Sequence, residues 1–379
     1  MQKGRAIALL VCLVLLLAAL PTALADAQMR DLSSQEFVRQ MGLGWNLGNT
    51  LEATGGRLDS ISAYETSWGN PLTTKEMLAK IAGLGVRSLR LPVAWSNLMA
   101  EDFTIHPDLM NRVEEITQMA LELEMTVVIN IHWDGGWFTR FHDDFGWAMA
   151  KYEAIWNQVS ERFRDYPDKV VFESFNEVAW PKIFNHYGGP SAVTESAKPA
   201  FDLLNLINQR FVDLVRASGG NNLKRYLLIA GYNTDIELTN HSYFQMPKDA
   251  ENRLMISVHY YHPWDFVGLK EDASYAKMRT TWGTPADMKD LQRFLRMMKP
   301  FTDRGIGVVL GEYSVCDGLE FKEPFSIRLW DTSVTRTALQ LGYCPMLWDN
   351  GHILLNRNTL EFYDEELASQ LSALAPALP

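Results

Sequence analysis

Residues 171–180 read VFESFNEVAW. Val171–Phe175 is a mostly apolar run, rich in β-branched and aromatic residues, and it breaks off at the polar pair Asn176-Glu177. Seven further short apolar runs occur along the chain: Leu43–Leu47, Val86–Leu91, Thr126–Ile131, Tyr226–Ala230, Leu254–Tyr260, Gly307–Gly311 and Pro345–Trp348. With Val170–Phe175 as the fourth, none shows the strict apolar–polar alternation of a half-exposed strand. Near-continuous apolar runs of this length indicate parallel strands buried on both faces.

Helical periodicity fills the gaps. Thr73-Thr74-Lys75-Glu76 resembles a capping box, with Met77, Leu78 and Ile81 on one face and Gly85 as a stop. Residues 107–124, 148–165, 199–217, 325–341 and 364–374 repeat the pattern, and Thr284-Pro285 opens another helix with proline at its first position. Eight strand–helix units predict a single-domain (β/α)8 TIM barrel over residues 26–379. An open doubly wound sheet would need a glycine-rich phosphate turn after its first strand, and GWNLGNT does not match that fingerprint.

The N-terminus carries a targeting signal. Lys3 and Arg5 precede the apolar run Ala6–Leu20, and Ala23-Leu24-Ala25 is a small-residue cleavage site. Residues 1–25 are therefore expected to be a cleaved signal peptide, with the mature protein secreted to the periplasm or medium and no membrane span retained. Losing Lys3 and Arg5 takes the formal charge from −11 to −13. That sign disfavours nucleic acid and anionic lipid as partners. The remaining cysteines, Cys316 and Cys344, fall at opposite ends of neighbouring strands and are expected to be free thiols. A monomer is expected.

Chemistry in such a barrel belongs at the C-terminal ends of the strands. Six of the eight deliver a functional group there: Arg90, His132, Asn176-Glu177, His259 with Tyr261, Glu312, and Trp348-Asp349-Asn350. Glu177 and Glu312 follow strands 4 and 7, across the barrel from each other. Paired carboxylates are what glycoside hydrolysis requires: one protonates the leaving oxygen while the other attacks the sugar or activates water. A gap of about 5–5.5 Å would mean retention of configuration and about 6.5–9.5 Å inversion. Arg90 and Tyr261 are placed to hold one carboxylate ionised, and Asn176 to donate to a sugar 2-hydroxyl. Rim indoles stack on pyranose faces. Trp348, Trp137, Trp264 and Trp133 are substrate-binding candidates, with Asn46, Asn49 and Asn350; Trp45 is expected in the core. His262 beside His259 lacks a third ligand at useful spacing, and neither metal nor cofactor is expected.

The stretch VFESFNEV resembles the signature of the family 5 glycoside hydrolases, long called cellulase family A. The likeness extends through GWNLGNTLEA, VRSLRLPVAW, VVINIHWD, YLLIAGYNTD, LMISVHYYHPW, VVLGEYS and LWDNG. It is especially similar to the bacterial endoglucanase subgroup that also holds xyloglucan-active members. The resemblance implies Glu177 as acid/base and Glu312 as nucleophile, steadied by Arg90 and Tyr261. It places Asn176 on the 2-hydroxyl, His132 and His259 around the cleavage subsite and Trp348 as its floor. It further implies retention, a metal-free mechanism and endo cleavage of a β-1,4-glucan polysaccharide. Xyloglucan, mixed-linkage glucan, xylan and mannan stay open as substrates, and a non-catalytic glycan-binding barrel is the alternative of another class. One departure is plain: many subgroup members carry two histidines where this chain has His132-Trp133.

Overall fold

The computed structural model describes residues 29–375; the targeting segment expected over residues 1–25 lies outside them. Eight parallel strands close into a barrel in sequence order. They are β1 (Gly44–Leu47), β2 (Ser88–Leu91), β3 (Thr126–Asn130), β4 (Val170–Glu173), β5 (Leu227–Asp235), β6 (Leu254–His259), β7 (Gly307–Tyr313) and β8 (Cys344–Asp349). Closure comes from β1 on β8, with Gly44 opposite Met346 and Leu47 opposite Asp349. Helices alternate with the strands as expected, including Pro107–Glu122, Phe145–Arg162, Lys198–Ala217, Pro285–Arg296 and Pro324–Gln340. No helix among the described residues is long and apolar enough to cross a membrane. Cys316 and Cys344 are both free thiols.

Two strands run further than their apolar runs. β5 continues to Asp235 through a bulge after Ala230, where Asn233 and Thr234 both take positive φ. β7 continues through Glu312 to Tyr313, with a register shift that sets His259 opposite Glu312. Such bulges re-aim side chains at barrel rims. The capping box expected at Thr73–Glu76 is corrected by one residue. Thr74 is the N-cap of Lys75–Ala82 and its hydroxyl accepts from the Met77 N–H, so no glutamate reciprocates.

The barrel is filled in layers. The helix Ser34–Met41 closes the end away from the strand C-termini, with a capping box between Ser33 and Glu36. Its Phe37, Val38 and Met41 pack with Val128, Val171, Leu228, Met255, Val309 and Met346 inside the barrel. Phe37 stacks on Tyr226 with ring centroids 3.8 Å apart, and burial of such a side chain stabilises by roughly 1.5–3 kcal/mol. Gly307 permits this plug: a β-carbon there would meet the Ser34 carbonyl at 2.5 Å and Val38 at 2.6 Å. Above the apolar layer the interior turns polar, with Asn46, Arg90, Asn130, Glu173 and Ser257 all buried. A buried polar layer is tolerated when each member is hydrogen-bonded, and this one forms the bed of the cleft.

Candidate active site

The site is assembled around one buried cation. The Arg90 side chain, with no exposed surface, donates from Nε to Glu173 Oε2 at 2.7 Å. Its Nη1 donates to Asn46 Oδ1 at 3.0 Å and to Glu312 Oε1 at 2.6 Å, and its Nη2 to Asn176 Oδ1 at 2.8 Å. Burial opposes the charge, but Glu173 and Glu312 more than offset it and hold the guanidinium firmly protonated. The second oxygen of Glu312 accepts from the Tyr261 hydroxyl at 3.0 Å. Burial and the Glu312 charge push the Tyr261 phenol far up, so it stays a donor.

Glu177 lies opposite. Its side chain is 41% exposed toward the cleft, against 6% for Glu312. His259 bridges the pair, with Nδ1 2.8 Å from Glu177 Oε1 and 3.6 Å from Glu312 Oε2. Ligand atoms of Glu177, His259 and Glu312 lie within 4.8 Å of one another. Three such groups meet the geometric requirement of a cation site. However, Arg90 and Tyr261 already occupy Glu312, and a metal ion would face the Arg90 charge at close range. The arrangement suits proton transfer and covalent attack better.

Three carboxylates, Glu173, Glu177 and Glu312, gather around Arg90, with His259 between the last two. Burial pushes the Glu312 carboxyl up, against the pull of His259 and Arg90. Burial also opposes ionised Glu177, but the hydrogen bond and charge of His259 outweigh it and hold that carboxyl below its usual value. Glu312 accepts strong donors on both oxygens, and a charge-assisted acceptor of that kind carries the negative charge. Glu177 is the carboxyl of the two that opens to the cleft, hydrogen-bonded to His259. His132 is kept neutral: burial, then the Arg90 and His259 charges, pull its imidazole well below the ordinary range. Its Nδ1 is 3.3 Å from the Asn130 amide nitrogen, which assigns the ring proton to Nε2 by the network. Its ring lies parallel to Trp348, with centroids 5.7 Å apart and planes within 6°.

Not every expected binding residue reaches the cleft. Asn46 is fully buried, its amide donating to the Gly311 and Met346 carbonyls at 2.8 and 3.0 Å; it supports the floor from below. Trp137 is a correction too. It is 7% exposed, packs with Phe141, Trp147 and Phe175, and gives its indole N–H to Asp134. Asn49 and Asn350 do turn chemistry: both carbonyls accept from the Asn70 amide, tying the loops after β1 and β8 together. Trp45 is core, with its indole N–H on Asp349. Trp133 is on the rim, 52% exposed and edge-on to Phe138. It is presented by a turn with positive φ at Asp134, Gly135 and Gly136. Only glycine fits at 136, where a β-carbon would meet the Trp133 ring at 2.8 Å.

Trp264, 47% exposed, lines a cavity of about 880 Å³ beside Glu177, together with Tyr187, Tyr275, His186 and Asp235. Tyr187, Tyr275 and His186 have no apolar-strand context, and Asp235 lies five residues past the apolar run Tyr226–Ala230 at the end of β5; none of the four was singled out from sequence. Glu173 and Ser257 were missed for a different reason. They are polar residues inside the runs VVFESF and LMISVH, and a charge inside a buried strand is itself a signal that a partner is near.

Fold and rim together define a (β/α)8 barrel with two carboxylates facing one another in the cleft at its strand C-termini. The model of the cellulase family, glycosyl hydrolase family 5, matches residues 51–352, and the chain belongs to that family. It is thus a glycoside hydrolase of the cellulase type. The chain is 35% identical to endoglucanase A of Paenibacillus barcinonensis, over 87% of this chain and 86% of that one. Among solved structures, a GH5-4 broad specificity endoglucanase from an uncultured bovine rumen ciliate superposes with a TM-score of 0.81. That pair is 32% identical and covers 90% and 98% of the two chains. The Bacteroides ovatus GH5 xyloglucanase, in complex with a XXXG heptasaccharide, superposes with a TM-score of 0.79. It is 31% identical, covering 91% of this chain and 76% of that one.

Proposed function

We propose that the protein is an exported, retaining endo-β-1,4-glucanase in which Glu312 is the nucleophile and Glu177 the acid/base. The carrying observation is the short carboxylate gap, with oxygens of the two glutamates within 4.8 Å. That is the spacing of direct attack; a water-mediated inversion needs about 6.5–9.5 Å. Glu312, ionised by Arg90 and Tyr261, attacks the anomeric carbon. Glu177, in hydrogen-bond contact with His259, delivers a proton to the departing glycosidic oxygen. A water then enters, loses its proton to Glu177 and releases the sugar from Glu312. Asn176 spends its carbonyl on Arg90, which leaves its amide hydrogens for a sugar 2-hydroxyl. Trp348 floors the glycone side; Trp264 and Trp133 offer further stacking faces.

A β-1,4-linked glucan backbone is the reading favoured by the relatives, and xyloglucan is the second, since one solved relative holds a xyloglucan-type heptasaccharide. The test is hydrolysis of a panel of soluble β-glucans, xylan and mannan with product sizing, using Glu312→Ala as control. Medium-sized oligosaccharides from β-1,4-glucan, absent with Glu312→Ala, support the reading. Activity confined to xylan or mannan, or retained by that variant, overturns it. Export is tested by N-terminal sequencing of the released protein, which is expected to begin near Asp26.

A further inference from the structure

We propose that Glu173 is a positioning residue for this reaction, dividing the charge of Arg90 so that Glu312 stays ionised without being over-stabilised as a nucleophile. The inference rests on the assignment of Glu312 above. Glu173 lies on β4, four residues before Glu177 and one layer below the cleft, with no exposed surface. It reaches no substrate. Its contacts are with Arg90 Nε at 2.7 Å, the Asn130 amide at 3.1 Å and the Ser257 hydroxyl at 2.6 Å. All three donors come from buried strand residues, so both Glu173 oxygens are fixed.

The arrangement sets up a competition for one cation. Arg90 is 2.7 Å from Glu173 and 2.6 Å from Glu312. With Glu173 present, the guanidinium is shared between two carboxylates at nearly equal distance. With Glu173 neutral, Glu312 alone answers the buried charge and is stabilised further. A carboxylate stabilised in that way titrates lower and attacks carbon less readily, because the same lone pairs are used for both. Glu173 also orients Arg90: Nε is committed downward, so Nη1 and Nη2 project toward Glu312 and Asn176. Other titratable groups facing this cluster are Glu177, His132, His259, Tyr261 and Cys316. None of them contacts Glu173; a change at 173 reaches them through Arg90 or, for His132, through the Asn130 amide shared by the two side chains.

The test compares Glu173→Gln with Ser257→Ala on soluble β-glucan across pH. Glutamine keeps an acceptor for Arg90 Nε but removes the charge. The acid limb of kcat/KM is expected to move down by about one pH unit, with kcat roughly tenfold lower and KM within about twofold. Ser257→Ala leaves the Glu173 charge and strips one of its donors, strengthening its claim on Arg90; its acid limb stays at or above that of the wild type. Circular dichroism and the melting profile fix the folded fraction of each variant. An acid limb that stays in place in Glu173→Gln, with kcat reduced only in proportion to folded protein, overturns the inference. If Glu173→Gln does not fold, Ser257→Ala decides, since a downward limb there contradicts charge sharing. Inactivity of the wild type on every glucan would be a failure of the functional reading itself.

Discussion

The guanidinium of Arg90 lies 2.6 Å from Glu312 and 2.7 Å from Glu173, joining β2 to β7 and β4 through the barrel interior. A planar fork with five N–H groups serves four acceptors here, Asn46 on β1, Glu173 on β4, Asn176 just past it and Glu312 on β7. Lysine has one ammonium and cannot. Arg90→Lys is therefore expected to lower kcat by roughly 10²-fold or more. Arg90→Ala, which strands a buried Glu173 charge, is expected to cost about 3–5 kcal/mol of stability as well. Steady-state kinetics and denaturant titration separate the two effects.

Trp133 stands where its turn leaves it no other direction, held by Phe138 and by the bare face of Gly136. An exposed indole at a cleft rim contributes about 0.5–1.5 kcal/mol when a flat partner stacks on it. Trp133→Ala is expected to raise KM for polymeric glucan by roughly threefold to tenfold, with kcat nearly unchanged. A fall in kcat at constant KM would show that the indole acts on the transition state instead.

Asp331, within the helix Pro324–Gln340, is fully buried. One of its oxygens accepts from the Val315 N–H at 3.4 Å and the other has no partner. Burial pushes its carboxyl up to about 8, whereas the unfolded chain titrates near about 4. The folded state thus binds the extra proton between those values. Its contribution is fully present below about pH 4 and is lost as pH rises through about 8. Burial pushes Glu52 up to about 7 and Asp134 to about 6, so both add in the same direction. These groups are expected to lower the melting temperature as pH rises from about 4 to about 8, and Asp331→Asn to flatten that fall. A variant whose profile parallels the wild type would exclude Asp331 as the titrating group.

Gly307 is the contact point between β7 and the plug helix. Gly307→Ala is expected to destabilise by about 1–3 kcal/mol through overpacking against Ser34 and Val38. Binding of a hydrophobic dye should rise as Val128, Val171 and Met255 become accessible beneath the displaced helix.

The barrel was legible because its strands are buried on both faces, which makes their sequences apolar runs rather than alternations. VVINIH and VVLGEY announce themselves for that reason. The rim pairing of Glu177 with Glu312 followed from strand order alone. The plug helix was overlooked although SSQEFVRQM carries a complete capping box and an apolar stripe, because no strand pattern called for it. Asn46 and Trp137 were misplaced because depth is not written in sequence: each lies one layer away from the cleft, satisfied by neighbours that only the fold brings near. The bulge that aligns His259 with Glu312 has no apolar signature at all.

The stereochemistry of hydrolysis tests the two-glutamate assignment most directly. Proton NMR of the first products from a soluble β-1,4-glucan, recorded before mutarotation, reads the anomer released. Attack by Glu312 followed by water predicts that the β-anomer appears first and the α-anomer grows in later. Initial release of the α-anomer would mean a single displacement, and would contradict Glu312 as the nucleophile.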